Sequence, residues 1–365
     1  MKISEETRDY LNSLRGVSIL RVVLGHLGLF WLFPPYSEFF HALLPLLFFV
    51  SGAVSYGSYL RSTSNGSYLY RRMISIATPY YAIIAIAVIG GLALNQQASL
   101  PMPDSLLRLI LIIPKNGDLF FPIGQVWFIH AMIVIVVLSL PFFILSKASR
   151  KWLLPPIVIS LLLGAAEFSS SIYRELFLAG HNMYQPIANA GFFFLGALYI
   201  TYTNHPKMLR TALTAALFCA LGAAALPYSF QIEIGLASHS YAPDIYYLLC
   251  SFFAVATIIA MRNIILSVLY RLTYIRLFLD YTSTHAYSIF MTHSFFIFAC
   301  EKWLGLLSVK ESPITAATKI ALVVGASWMT APIATALTKN LSSLLLPKFR
   351  NRLMNESASS EHGPR

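Results

Sequence analysis

Residues 14–33 read LRGVSILRVVLGHLGLFWLF. The run is apolar enough and long enough to cross a bilayer, for which about 20 apolar residues suffice, yet it carries Arg15, Arg21 and His26. Ionisable groups are costly against lipid and therefore face a polar interior built with other helices. This one stretch implies both a membrane and a bundle.

The rest of the chain supports that reading. Its 365 residues are 57% apolar and only 11% charged, against about 25% charge in an ordinary soluble domain. This excludes a disordered chain and a single soluble globular domain. Further apolar stretches place crossings near residues 14–33, 38–59, 73–93, 124–145, 152–170, 185–203, 208–228, 242–262, 283–303 and 316–337. The expected fold is all-α: a polytopic integral membrane helical bundle of about ten transmembrane helices. An even count puts both termini on one side. Residues 1–340 form the membrane domain, and residues 341–365 form a polar tail expected to be disordered.

Lys and Arg number 26 against 15 Asp and Glu, a net charge of +11. These cations are spread over many short connections, which argues against a nucleic-acid surface. Their placement fixes an orientation instead. With cytoplasmic termini, Arg61, Arg71, Arg72, Lys147, Arg150, Lys151, Lys207, Arg210, Arg262, Arg271, Arg276 and the tail from Lys339 all lie inside. The outer connections keep only Arg108, Lys115, Arg174, Lys302, Lys310 and Lys319. The polar N-terminus and the absence of a small-residue cleavage site point to no cleavable signal peptide. Cys219, Cys250 and Cys300 show no paired spacing and read as packing residues. The connection at residues 94–123 is the longest. Its apolar Ser105–Ile113 segment is too short to cross and is expected to lie in the interface or fold back as a lid.

Arg15 and His26 are eleven residues apart, which at about 100° per residue is three turns plus roughly 20°. Both therefore share one helix face, about 16 Å apart, and are expected to line one cavity, with Arg15 near the cytoplasmic surface and His26 deep in the membrane. The alternative is a snorkelling Arg15 and a His26 that merely bonds helix to helix. Arg21 points about 120° away from this face and is expected only to pair with an acid or a polar partner on a neighbouring helix.

Several motifs then fall in order. Arg8-Asp9-Tyr10-Leu11-Asn12-Ser13-Leu14-Arg15-Gly16, followed by Gly25-His26, resembles the opening R-x-x-x-L-D-G-L-R-G…H motif of the membrane acyltransferase-3 family. Leu44-Pro45-Leu46-Leu47-Phe48-Phe49-Val50-Ser51-Gly52 is similar to its F-F-x-x-S-G element. Tyr70-Arg71-Arg72 with Pro79-Tyr80 resembles its third-helix signature, Val126-Trp127-Phe128-Ile129 its W-F-L element, and Ser288 to His293 its late S-x-x-I-Y-x-x-H element. The likeness spans about residues 8–340. Asn12 and Ser13 replace the usual Asp-Gly, and Ser75-Ile76 stands where the third-helix signature has its last Arg. The SGNH hydrolase-like domain that some members append is not expected here.

The resemblance implies transfer of an acyl group, commonly acetyl from acetyl-CoA, to a sugar hydroxyl of a cell-surface polysaccharide or its lipid-linked precursor, in the bacterial cytoplasmic (inner) membrane. In that reading Arg15, Arg71 and Arg72 bind the phosphates of the acyl-CoA. His26 acts as general base or as a covalent acyl relay. Ser51, Tyr80 and Trp127 are candidates to stabilise the thioester oxygen, and His130 and His293 to orient His26 or touch the sugar. Glu167, Glu175, Glu233, Asp244 and Glu301 are expected at solvated rims. No hydrolase triad spacing, Gly-rich phosphate loop or metal-binding cluster is present in the sequence, so no metal is expected. Two other readings stay open: a glycan or solute exporter using Arg15, Arg21 and His26 as a pathway, and a relative that passes its acyl group to a periplasmic partner.

Overall fold

The computed structural model describes residues 4–29, 36–93, 103–113, 118–119, 121–123, 126–178, 181–306 and 312–345. The helices are α1 (Glu5–His26), α2 (Leu46–Leu60), α3 (Asn65–Ala93), α4 (Pro103–Ile110), α5 (Trp127–Ser146), α6 (Pro155–Ser170) and α7 (Tyr184–Tyr202). They continue as α8 (Met208–Phe230), α9 (Ala237–Ser240), α10 (Ile245–Ala260), α11 (Arg262–Arg271), α12 (Thr273–Thr284), α13 (Ala286–Trp303) and α14 (Pro313–Leu345). A two-residue antiparallel pair, Phe177–Leu178 with His181–Asn182, is the only strand structure among the described residues.

Each of the ten apolar stretches read from the sequence overlaps a helix. Six spans are long and apolar enough to cross a membrane: Tyr36–Leu60, Asn65–Ile89, Trp127–Ser146, Arg150–Ser170, Met208–Phe230 and Ile314–Ser343. The pair Ile245–Ala260 and Arg262–Arg271, bent by 61°, makes a seventh if it is one span. The chain is thus an integral membrane protein of helical build. Helices α1, α7 and α13 fall outside that test for a physical reason: they are internal. Most of α7 is buried, including Asn189, and α1 buries Thr7, Ser13 and Ser18. Outer α8 is the reverse, burying only Ala212, Ala216 and Ala223 while exposing Leu213, Leu217, Phe218 and Leu221. Polar helices inside and apolar helices outside are what a lipid solvent selects.

The boundaries of α1 differ from expectation. The helix starts at Glu5, capped by the Ser4 hydroxyl accepting from the Thr7 N–H, and acidic Glu5 and Glu6 suit the positive end of its dipole. It ends at His26, because Gly28 adopts φ 85° and its N–H donates to the Gly25 carbonyl, a left-handed termination that glycine allows. Arg15 therefore sits at mid-helix and His26 at the helix end. Pro155 and Pro156 occupy the first positions of α6, where proline suits a helix start. Amphipathic α4 is fastened to α3 where the Tyr80 and Tyr81 hydroxyls donate to the Leu109 and Ile110 carbonyls at 2.8 and 2.6 Å, and Arg108 pairs with Asp118. The tail beyond residue 345 lies outside the described residues.

Close crossings set the interior. A Cβ added at Gly52 of α2 would lie 1.8 Å from the Phe193 carbonyl oxygen of α7, and one at Gly196 of α7 would lie 1.9 Å from that of Phe49. A Cβ at Gly16 of α1 would lie 2.6 Å from the Leu279 oxygen of α12. Small residues let membrane helices approach to backbone contact, where packing replaces the hydrophobic drive that lipid removes. Gly52→Ala and Gly196→Ala are each expected to destabilise by at least about 1–3 kcal/mol through overpacking. The control Gly325→Ala, whose Cβ meets nothing within 4 Å, should be neutral. Thermal unfolding in detergent, followed by circular dichroism, measures the difference.

The connection from α8 to α10 carries a polar clasp outside the spans. His239 Nδ1–H donates to Asp244 Oδ2 at 2.5 Å, and Asp244 Oδ1 caps α10 by accepting from the Tyr247 N–H at 3.0 Å. Glu38 Oε2 accepts from the Ala237 N–H at 3.1 Å. The bond to Asp244 holds the His239 imidazole above its ordinary value, against the opposing effect of burial. A raised folded-state pKa gives stability that is complete below the unfolded value of about 6.5 and disappears as pH rises through the folded value. The stability gap between wild type and His239→Gln should accordingly shrink as pH is raised from about 6 to alkaline values. A gap constant over that range in thermal melts would refute the clasp.

Candidate functional site

His26 ends α1 facing α13, with its Nδ1 2.8 Å from His293 Nε2 and the ring centroids 5.0 Å apart. His293 is fully buried, and its Nδ1 lies 3.2 Å from the Ile289 carbonyl oxygen one turn earlier. That oxygen can only accept, so His293 Nδ1 carries the proton and, in the neutral ring, Nε2 is an acceptor. His26 must then donate through Nδ1–H. The chain of hydrogen bonds leaves His26 Nε2 with an unprotonated lone pair, the form that acts as base or nucleophile.

A cavity of about 200 Å³ opens beside this ring, with Arg21, His41 and Trp127 among its walls. Arg21 Nε–H donates to the Phe40 carbonyl at 2.8 Å, and the Tyr247 hydroxyl donates to that of His41 at 3.1 Å. The first bond ties the 3-10 segment Tyr36–Leu43 to α1 and the second ties it to α10. The segment forms the first turns of the span that α2 continues.

A second cavity, of about 250 Å³, is lined by Arg15, Ser51, Arg72, Ser75, Ser283, Thr284 and Tyr287 with apolar neighbours. Arg72 donates to the Ser51 carbonyl at 3.4 Å and to the Ser55 hydroxyl. No carboxylate lines this cavity, and no ion pair involves Arg15 or Arg72 among the described residues. Two guanidinium groups share one recess within the protein without a counter-charge, an arrangement whose desolvation and repulsion an anion would offset.

The single cavity expected from helical spacing is thus two adjoining ones. Leu47, Phe128 and Phe290 line both, and the Phe128 and Phe290 rings are 5.5 Å apart. Of the residues singled out from sequence, His26 and Trp127 line the first cavity, with His293 bonded behind His26, and Arg15, Ser51 and Arg72 line the second. Arg71, about 100° around α3 from Arg72, lines neither, nor does His130. Tyr80 is buried at the α3–α4 contact and lines neither cavity. Sequence reading gave Arg21 only a pairing role and passed over His41, Ser283, Thr284 and Tyr287. Among the described residues no three His, Cys, Asp or Glu side chains gather as a metal site.

No curated protein and no solved structure matches the chain. A family model described as an acyltransferase domain, that of acyltransferase-3, matches residues 8–339. That range takes in the helices supplying both cavities, so the imidazole pair and the neighbouring arginine recess sit within a matched domain: the chain belongs to the acyltransferase-3 family.

Proposed function

We propose that this membrane acyltransferase takes an acyl group, acetyl in the simplest case, from acyl-CoA on the cytoplasmic side. It delivers that group to a sugar hydroxyl of a cell-surface polysaccharide or its lipid-linked precursor. The observation that carries the reading is the uncompensated Arg15 and Arg72 pair in a cavity that abuts the chamber of a base-ready imidazole. Phosphate oxygens of CoA are suited to paired guanidinium groups, which bind them bidentately. In this reading about ten helices cross the bacterial inner membrane with both termini in the cytoplasm. Arg15 then lies toward the inner face and His26 toward the outer one.

The chemistry follows from the free Nε2. In the direct route, His26 Nε2 takes the proton of the acceptor hydroxyl as its oxygen attacks the thioester carbon. The tetrahedral species collapses by breaking C–S, and the departing CoA thiolate takes the proton from His26. In the relay route, Nε2 itself attacks and C–S breaks to release CoA thiolate; the hydroxyl oxygen then attacks the acyl-imidazolium carbon, C–N breaks, and the hydroxyl's proton converts the thiolate to CoA thiol. Both routes build negative charge on the carbonyl oxygen, which the Arg21 guanidinium and the Trp127 N–H in the same chamber are placed to stabilise. By accepting the His26 Nδ1–H at its Nε2, His293 keeps His26 in the competent tautomer and acts as a positioning residue, much as a second group orients the base in other catalytic pairs.

His26→Ala should lower turnover of labelled acetyl-CoA by about 10²–10⁴-fold with helical content unchanged; wild-type turnover in this variant would remove His26 from the chemistry. His293→Ala should lower kcat at constant donor KM. Incubation with labelled donor alone discriminates the routes, since only the relay leaves label on the protein.

Arg15→Ala and Arg72→Ala act on binding. Loss of one charge-assisted contact of about 1.5–3 kcal/mol should raise the donor Kd by about 10–150-fold. Arg71→Ala, outside the recess, should change it by less than about threefold. Isothermal titration with CoA measures all three, and an unchanged Kd in both recess variants would rule out the phosphate cradle.

A further inference from the structure

A third cavity, of about 580 Å³, is larger than either chamber and shares no lining residue with them. It is a trough between α6 and α7 on one side and α8 on the other, floored by α10. Its origin is the choice of side chains on α8. That helix packs on α10 through small residues and turns Ala212 and Ala215 toward the gap, so no large side chain fills the space. Most of the trough is apolar, with Leu161, Leu198 and Phe252 among its walls.

Its charge is confined to one end. Arg150 and Lys151 precede α6, and Lys207 precedes α8; α7 runs the opposite way and ends beside them at Tyr202. No acidic residue lines the trough, and none of the three cations forms an ion pair among the described residues. Arg150 lies over the Tyr202 ring, 5.9 Å from its centroid. An apolar trough in the hydrocarbon region ending in a basic rim is complementary to an amphiphile with an anionic head.

We infer that this trough binds an anionic phospholipid, an acyl chain lying between α7 and α8 and the phosphate resting against Arg150, Lys151 and Lys207. The alternatives fit the dimensions and charge less well. A transmembrane helix is about 10 Å across, so even ten residues of it, about 15 Å long, would need roughly twice the volume. A soluble anion would leave the apolar walls unused. A zwitterionic lipid brings its own cation to the basic rim, whereas an anionic one gains about 1 kcal/mol for each nearby Lys or Arg. The occupant would also bridge α8 to α6 and α7, joining the most exposed helix to the core of the bundle.

The test uses the full-length protein, delipidated in neutral detergent, and native mass spectrometry with added palmitoyl-oleoyl phosphatidylglycerol or phosphatidylcholine. Phosphatidylglycerol should remain bound at concentrations where phosphatidylcholine does not. The combined Arg150→Ala, Lys151→Ala and Lys207→Ala variant should bind it roughly a hundredfold more weakly. Ala215→Phe, at an exposed trough position, keeps every charge but fills the trough and should also abolish retention. All these positions are exposed, and circular dichroism with size-exclusion profiles verifies folding. Equal retention of the two lipids, or unchanged phosphatidylglycerol binding in either variant, overturns the inference. Displacement of phosphatidylglycerol by a tenfold lower concentration of polyprenyl phosphate does so too, since the trough would then serve a carrier lipid. None of these readouts depends on acyl transfer.

Discussion

The hydrogen bond from His26 to His293 joins residues 267 positions apart, and the geometry of the cavity beside His26 depends on it. An imidazole at a helix end has freedom that one within a helix lacks. Here that freedom is removed from both sides. The left-handed Gly28 terminates α1 directly after the ring, and the Ile289 carbonyl orients its partner. The tautomer of His26 follows from an acceptor that cannot donate, through two neutral rings, so which His26 nitrogen is left unprotonated is specified by backbone geometry on another helix. Upstream, Gly16 seats α1 against the Leu279 backbone of α12. At the break before α13, His285 and Ser288 both bond the Thr335 hydroxyl of α14 at 2.8 Å. The crossing and the break together fix how α1 and α13 face one another.

Electrostatics sets the second condition. Three arginines, Arg15, Arg21 and Arg72, line the two chambers, and no acidic residue lines either. In a soluble protein such groups would be met by carboxylates or water. In a bundle surrounded by lipid, each leaves a desolvation cost for ligands or fixed dipoles to offset. The Ser51 and Phe40 carbonyls supply part of the compensation. In the proposed function, a bound anion would supply the larger part for Arg15 and Arg72. Polarity therefore concentrates on the internal helices, and the peripheral helices carry the apolar residues that meet lipid.

The fold was legible because apolar run length is a local property, and each of the ten runs coincides with a helix. What misled was the meaning of local charge and proline. Glu5, Glu6 and Asp9 look like a polar leader, yet the first two are N-terminal acids of a helix capped by Ser4. Pro155 and Pro156 look like a break, yet they begin a helix. The site was legible along α1, where spacing alone puts Arg15 and His26 on one face. It was less so between helices. Arg71 and Arg72 are equivalent as letters, and only the direction in which α3 is rotated sends Arg72 into the recess. His130 follows Trp127 by less than one turn and still misses the chamber. His41 was invisible because its 3-10 segment folds back onto α1, a contact that no periodicity encodes.

The partition between the chambers limits what acyl chemistry can occur. Leu47, Phe128 and Phe290 belong to both walls, and Phe128 is braced by Phe48 at 4.8 Å. In the proposed reaction a thioester held at Arg15 and Arg72 must pass these rings to reach His26 Nε2. Side-chain rotation is far faster than helix movement, so passage needs no rearrangement of the bundle. In the same reading, an apolar wall between the chambers would slow the approach of water to a thioester or acyl-imidazole. A wall of two phenyl rings and a leucine admits a narrow chain more readily than a branched or bulky one. Acyl selectivity and protection from water would then have a common physical cause, the packing of three apolar side chains between a charged recess and a neutral imidazole.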